Sequence, residues 1–120
     1  MPKCRITRKA DCRPQIQEWG RLTWFASGAM ETSDHQTVGL CEIKPGHANP
    51  RHHHPNCEEV LHVLAGEIEH DIEHGKTVRL GPGDTISVPA GIVHQARNVG
   101  RELAVLFICF SSANRQAQGE

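Results

Sequence analysis

The chain has 120 residues, room for one domain with its own core and too few for two. Thirteen Lys and Arg stand against fourteen Asp and Glu, a net charge near −1, with 38% hydrophobic and 22% charged residues. That balance offers no electrostatic footprint for nucleic acid or an anionic membrane, so neither is expected as a partner.

The opening "MPKCRITRKADCRPQ" is basic but lacks the apolar stretch of a secretory signal, so a cytoplasmic location is expected. Residues 1–28 read as an irregular N-terminal segment. Within it "EWGRLTWFASG" is a candidate edge strand or dimer-exchange arm. Its Trp19, Trp24 and Phe25 are expected to bury against the domain or against a second copy in a homodimer, rather than to serve as a substrate platform.

Residues 29–112 carry the regular pattern. "TVGLCEI" is a strand ending at Pro45-Gly46, and "EEVLHVLA" is another ending at Gly66. "EIEHDIEH" alternates strictly, placing Ile68, His70, Ile72 and His74 on one face, and the turn from His74 to Lys76 leads into "TVRL" as a hairpin return. "DTISV" follows Gly81-Pro82-Gly83, and "IVHQARN" follows Pro89-Ala90-Gly91. The longest apolar run, "LAVLFICF", is far too short for a membrane span and suits a buried strand. Residues 113–120, the end of the polar "SSANRQAQGE", are expected to form a flexible tail. Short strands with turn signals roughly every eight to twelve residues predict an all-β sandwich or barrel.

Cys4, Cys12, Cys41, Cys57 and Cys109 form no CxxC pair and are odd in number, so free thiols are expected. Cys57 falls inside a histidine-rich stretch and reads as a small filler, since nothing nearby clearly lowers its pKa. Cys41 alternates with Gly39 and Ile43, which puts it on the interior side if Ile43 faces in.

Histidine is abundant, with nine copies concentrated around "GHANPRHHHPNCEEV". Successive strand side chains point to opposite faces, so His52 and His54 share one face and His53 points away. Pro55 then turns the chain, and Glu58 or Glu59 re-enters at the start of the next strand. His94, after the "PAG" turn, can supply a third imidazole. Three nitrogens and one oxygen suit a divalent first-row ion such as Mn, Fe, Co, Ni or Zn. A site with open positions supports catalysis, whereas structural zinc sites are closed.

The wider spacing is more specific than the triplet. Gly46, His52, His54, Glu59 and Gly66 are separated by five, one, four and six residues. Gly83, Pro89, Gly91, His94 and Asn98 are separated by five, one, two and three. These resemble the two motifs of the cupin superfamily at all ten positions, and the sixteen residues between Gly66 and Gly83 are similar to the short spacer of small single-domain microbial cupins. The resemblance covers Gly46 to Asn98 and implies an all-β jelly-roll barrel, the double-stranded β-helix, with strands supplied on both sides.

It also implies one divalent transition metal ion held by His52, His54, Glu59 and His94. Glu59 rather than Glu58 keeps the six-residue gap to Gly66. By the same resemblance the glycines and Pro89 permit the turns that present the ligands, and Asn98 is a hydrogen-bonding turn residue. A homodimer is implied, as small cupins usually pair.

Fold does not decide chemistry. The resemblance implies a metal-dependent enzyme on a small oxygenated molecule, such as a sugar acid or keto acid, with the ion polarising a carbonyl or stabilising an enolate as a Lewis acid. Iron-dependent dioxygenation of a phenolic or diketone substrate, or a non-catalytic ligand-binding sensor, are the alternatives. The cupin lyases of dimethylsulfoniopropionate rely on tyrosine beside the metal, and this chain has none, which counts against that activity.

No general base is identified. His47, a hydroxide on the ion, and Glu59 if it leaves the ion are the candidates. His35 and His47 are placed at the cavity mouth, His62 on the face opposite the metal, and a second metal site at His70 and His74 is unsupported. Arg21 and Arg97 are candidates for pairing with a substrate carboxylate.

Overall fold

The computed structural model describes residues 2–120, which form eleven strands and one short 3-10 turn at Lys9–Asp11. The strands are β1 (Gln15–Gln17), β2 (Gly20–Ala26), β3 (Thr37–Ile43), β4 (His52–His53), β5 (Glu59–Ala65), β6 (Ile68–Asp71), β7 (Thr77–Leu80), β8 (Thr85–Val88), β9 (Ala96–Asn98), β10 (Ala104–Phe110) and β11 (Gln118–Gly119). The fold is all-β, as the short alternating runs predict. Among the described residues no helix is long and apolar enough to cross a membrane.

A six-stranded antiparallel sheet runs β1-β2-β3-β10-β5-β8. A three-stranded sheet, β7-β6-β9, and the small pair β11-β4 complete the architecture. Strand β10 lies at the centre of the large sheet because alternate residues of its apolar run, Ala104, Leu106, Ile108 and Phe110, all bury on one face. They meet Cys41 and Ile43 of β3, Leu61 and Val63 of β5, and Ile68 of β6 in the core. The opposite face of β10 is only partly covered, with Phe107 at 36% exposure, so the run is one-sided rather than buried throughout.

Two segments differ from their sequence reading. The alternation of "EIEHDIEH" does not continue as strand: β6 ends at Asp71, and His74 and Gly75 take φ of +64° and +70° to make the turn into β7. His70 therefore points into the barrel, fully buried, while His74 sits exposed at the turn. Asp71, on the polar face of the pattern, is buried because Arg51 and Arg97 both pair with it.

The polar C-terminus also returns to the barrel. Ala113 is buried, Gln118 and Gly119 pair with His53 and His52, and Asn56 ties the intervening chain by accepting from Gln116 N–H and donating to the Asn114 carbonyl, both at 2.9 Å. Its side chains are polar because most face solvent, while its backbone is paired.

The motif glycines serve the turns. Gly46, Gly66, Gly83 and Gly91 all have φ between +76° and +92°. Gly66 is doubly constrained: besides φ +86°, a Cβ there would stand 2.8 Å from Ala104 Cα. Asn98 is buried and behaves as a turn residue, its amide donating to the carbonyls of Ile43 and Glu102 and its oxygen accepting from Gly100.

Candidate metal centre

The two motifs are joined through their backbones. His52 N–H donates to the His94 carbonyl at 3.0 Å, and His94 N–H returns the bond to the His52 carbonyl at 2.8 Å. Gly91 N–H donates to the His54 carbonyl at 2.9 Å, which fixes the turn before His94 against the strand that carries the other two histidines. Glu59 opens β5 opposite Phe110 of β10 and Val88 of β8. Four side chains distant in sequence are thereby aimed at one point.

One donor atom from each of His52, His54, Glu59 and His94 lies within 4.8 Å of every other. His54, Glu59 and His94 are buried and His52 is half-buried. Glu59 Oε1 stands 3.0 Å from His94 Nε2 and 3.3 Å from His54 Nε2, and the Nε2 atoms of His52 and His54 are 3.1 Å apart. Glu58, the alternative carboxylate, is exposed.

The outer shell decides which nitrogen of each ring is free. His52 Nδ1 lies 2.6 Å from the Pro50 carbonyl, His54 Nδ1 2.8 Å from the Gln116 carbonyl, and His94 Nδ1 2.9 Å from the Ile92 carbonyl. A carbonyl only accepts, so in each neutral ring Nδ1 carries the proton and Nε2 presents its lone pair. Three such lone pairs and a carboxylate converging in a buried volume repel one another unless a cation lies among them. The donor set therefore fits a divalent first-row ion, with each imidazole oriented by a carbonyl as ligating histidines usually are.

The electrostatics of the metal-free cluster agree. Burial alone raises the Glu59 carboxyl, but hydrogen bonds from His54 and His94 outweigh it and hold the pKa at about 2. Burial pushes the His52 imidazole down to about 4, against the opposing pull of the Pro50 carbonyl. Burial also works against the charged form of His94, yet the hydrogen bond to Glu59 wins and the pKa is raised. Near neutrality Glu59 is anionic and His52 is neutral, and Glu59 makes His94 hold a proton more tightly than an ordinary imidazole does.

A cavity of about 330 Å³ opens onto this cluster. Its other walls come largely from the N-terminal and C-terminal parts of the chain. Trp19, Leu22 and Trp24 line it, together with Cys41, Leu61, Ile108, Phe110 and Arg115. The aromatic residues of β2 therefore divide: Trp24 faces the cavity, while Phe25 faces the outer depression lined by N-terminal residues such as Thr7 and Cys12. Trp24 fits because Gly39 lies beneath it, where a Cβ would come within 2.7 Å of the indole. Trp19 and Trp24 pack against the core, as expected, and in addition line the cavity. Strand alternation fixes the placement of Trp24 once β2 is paired with β3.

Several other expectations are sorted by the same geometry. Arg21 is committed to Glu42 through two hydrogen bonds of 2.8 and 3.2 Å, and Arg97 to Asp71 and Glu69 at 2.8 and 3.2 Å, so neither is open to a substrate. His35 and His47 are exposed and lie outside the cavity lining, with His47 Nδ1 3.1 Å from its own Pro45 carbonyl. His53 is half-buried and outside the cluster, and His62 bonds to Thr85 Oγ1 at 2.7 Å on the far face.

Cys41 lines the cavity as the alternation with Ile43 implies, and burial pushes its thiol up to about 12, so it stays neutral. Cys57 is buried and its thiol is likewise raised by burial. His70 stacks on His94, the rings 5.3 Å apart and inclined by 20°, and joins no second metal cluster among the described residues.

Arg115 is a cavity residue that sequence reasoning missed. Its guanidinium carbon lies 4.6 Å from the centre of the Trp24 ring and 5.1 Å from that of Phe110, whose ring in turn lies 4.8 Å from that of His54. Nothing in the local sequence signals this, because the position depends on the C-terminal return described above.

Comparison with known proteins agrees with the architecture. A family model described as "Cupin domain" matches residues 39–111. Germin-like protein 3-8 of Oryza sativa subsp. japonica is 36% identical over 81 residues, covering 63% of this chain and 36% of that protein. The polyketide synthase CurC of Streptomyces cyaneus is 36% identical over 100 residues, covering 83% of this chain and 64% of that protein. Dimethylsulfoniopropionate lyase DddQ of Ruegeria pomeroyi is 35% identical over 84 residues, covering 70% of this chain and 41% of that protein.

Among solved structures, Bacillus subtilis oxalate decarboxylase, in a study of its Mn(II) centres, superposes with a TM-score of 0.82 at 23% identity over 92% of this chain and 30% of that one. This chain thus spans between about a third and two thirds of the length of these curated relatives. With the family model covering both motifs and the strands between them, the chain belongs to the cupin domain family.

Proposed function

We propose that the protein is a metal-dependent cupin enzyme acting on a small oxygenated molecule, such as a sugar acid or keto acid, in an isomerase or lyase type of reaction. The observation that carries this reading is the convergence of three imidazole nitrogens and the Glu59 carboxylate at one end of a cavity of small-molecule size. His52, His54, Glu59 and His94 hold the ion. When bound, the ion supplies Lewis-acid polarisation of a substrate carbonyl or hydroxyl.

The remaining roles belong to the chain itself. The carbonyls of Pro50, Gln116 and Ile92 keep each imidazole in the metal-binding tautomer. Trp19, Leu22, Leu61 and Ile108 give the cavity apolar walls that exclude water from a bound substrate. Cys41 is neutral and supplies no nucleophile.

A second reading, a ligand-binding module without turnover, is favoured by one specific observation. Among the residues lining the cavity, no carboxylate or histidine stands outside the ligand cluster to act as general base. Proton transfer in an enzyme would then fall to Glu59 itself.

The two readings separate experimentally. The protein is loaded in turn with Mn, Fe, Co, Ni and Zn and incubated with sugar acids, keto acids and phenols, with and without oxygen. Oxygen-independent conversion of one compound is expected. Oxygen-dependent conversion with iron would move the assignment to a dioxygenase, and thermal stabilisation by one compound without conversion would replace the enzyme with the binding module.

A further inference from the structure

The half-buried arginines of this chain are Arg97 and Arg115, and they differ in kind. Arg97 is satisfied by two carboxylates. Arg115, among the described residues, has no carboxylate within ion-pair distance and no hydrogen-bond acceptor for its five N–H donors. Trp24 and Phe110 pack against it from adjacent sides, their ring centres 6.2 Å apart, which orients the guanidinium while its N–H groups stay without a protein partner. A half-buried guanidinium that lines a cavity with no counter-charge beside it offers an entering anion a charge-assisted pair. Burial accordingly lowers the pKa of Arg115, partly offset by the distant Glu59 charge.

Charge balance in the cavity points the same way. Glu59 is the sole acid among the lining residues, and its negative charge is spent on the histidines or on the ion they hold. The other lining cation, Arg51, is paired outward with Asp71 and Glu120. With a divalent ion in place the cavity carries excess positive charge at two points, the ion and Arg115. Phe110 stands between them, touching both the His54 ring and the guanidinium.

We propose that the substrate is an organic acid that binds at both points: oxygen atoms at one end on the ion, and a separate carboxylate at the other end paired with Arg115. The planar fork of Arg115, oriented by the two rings packed against it, matches a carboxylate through two parallel N–H···O bonds. The apolar lining of the same cavity, with Leu22, Leu61 and Ile108, suits a short hydrocarbon body. This deepens the metal-enzyme reading and rests on it, and it holds equally if the protein binds without turnover.

The test uses the cobalt-loaded full chain and titration calorimetry. The probes are oxaloacetate, 2-oxoglutarate and 2-oxoadipate, each with a chelating 2-oxo acid head and a distal carboxylate on one, two or three methylenes. Each is paired with a monocarboxylate 2-oxo acid of the same chain length that lacks the distal group. At least one dicarboxylate is expected to bind about 10–100-fold more tightly than its monocarboxylate match, the range of a charge-assisted bidentate pair.

Arg115→Gln is expected to abolish that preference while changing monocarboxylate affinity less than about threefold, and Arg115→Lys to restore part of it. Cobalt content and Tm of both variants serve as the controls for folding and for the ligand cluster. Wild type that takes up no metal defeats the functional reading and this inference with it. Wild type that loads fully but binds both acid classes alike, or Arg115→Gln that keeps the preference, overturns the Arg115 assignment alone.

Discussion

The cavity has two walls built by different rules. On one side stand the four candidate ligands from β4, the following turn, β5 and the segment before β9, each at a position set by a short motif and fixed by backbone hydrogen bonds between motifs. On the other stand Trp19, Trp24, Phe110 and Arg115, brought together by long-range strand pairing and by the C-terminal return. The ligand wall is made of spacing, which survives wherever the turns survive. The recognition wall is made of tertiary return, and its chemistry changes whenever the termini change. Cupins that share the first wall can therefore differ in substrate through the second.

The strongest way to break this comparison is to remove a ligand. His54→Ala deletes one of three imidazoles and exposes Glu59 to a different hydrogen-bond environment. Bound metal after purification should fall by more than the roughly 10–100-fold that loss of an outer-shell partner costs in affinity, with β-sheet content by circular dichroism retained. Full metal content in that variant would mean that the four residues are not the ligand set.

The two walls were also unequally legible from the sequence. His52 and His54 share a face by simple strand alternation, and the gap to Gly66 selects Glu59 over Glu58, which the structure places outside. The glycines at positive φ and the buried Asn98 are local requirements of single turns, so they too could be read from short stretches. The strand at "EIEHDIEH" was legible in period but not in length: the turn at His74 and Gly75 cuts it short, and the burial of Asp71 depends on Arg51 and Arg97 reaching it from other segments. Arg21 and Arg97 looked available only because their partners, Glu42, Glu69 and Asp71, are far away in sequence. Arg115 had no signal at all: its polar neighbourhood reads as solvent-exposed, its own contacts are with the distant Trp24 and Phe110, and the segment is held by Asn56 through its neighbours Asn114 and Gln116.

Acid should act on the ligand wall with a smaller and graded effect. Ligands bind metal in their deprotonated forms, so a proton held in the metal-free cluster competes with the ion. His94 is that holder, its pKa raised above the ordinary 6.5 by Glu59, whereas His52 is already neutral down to about 4 and Glu59 is ionised down to about 2. The sign follows: metal affinity is highest above the His94 pKa and falls as pH drops below it. Between pH 6.5 and 5 one displaced proton gives a loss of about tenfold per pH unit, measurable by competition with a chromophoric chelator of known proton affinity. A flat profile over that interval would show that Glu59 does not hold a proton on His94.

The smallest expected effect tests whether the walls are separate at all. They meet at the C-terminal return, where the Gln116 carbonyl orients His54 while the adjacent Arg115 faces the cavity. Asn56 holds this segment with two exposed hydrogen bonds and touches neither the ligand donors nor the guanidinium. Asn56→Ala removes both bonds, each worth about 0.5–1.5 kcal/mol at most in such a setting, and frees the carbonyl that fixes the His54 tautomer. Because the substitution acts one step beyond the outer shell, metal affinity should fall by less than about tenfold, below the loss expected when an outer-shell partner is itself removed. Binding of a dicarboxylate should weaken in the same variant, since Arg115 moves with Gln116. Weakening of both would make the C-terminal return a shared support of the two walls. Unchanged metal affinity with weakened acid binding would instead separate them, leaving the ligand wall self-sufficient in β4, β5 and the His94 turn.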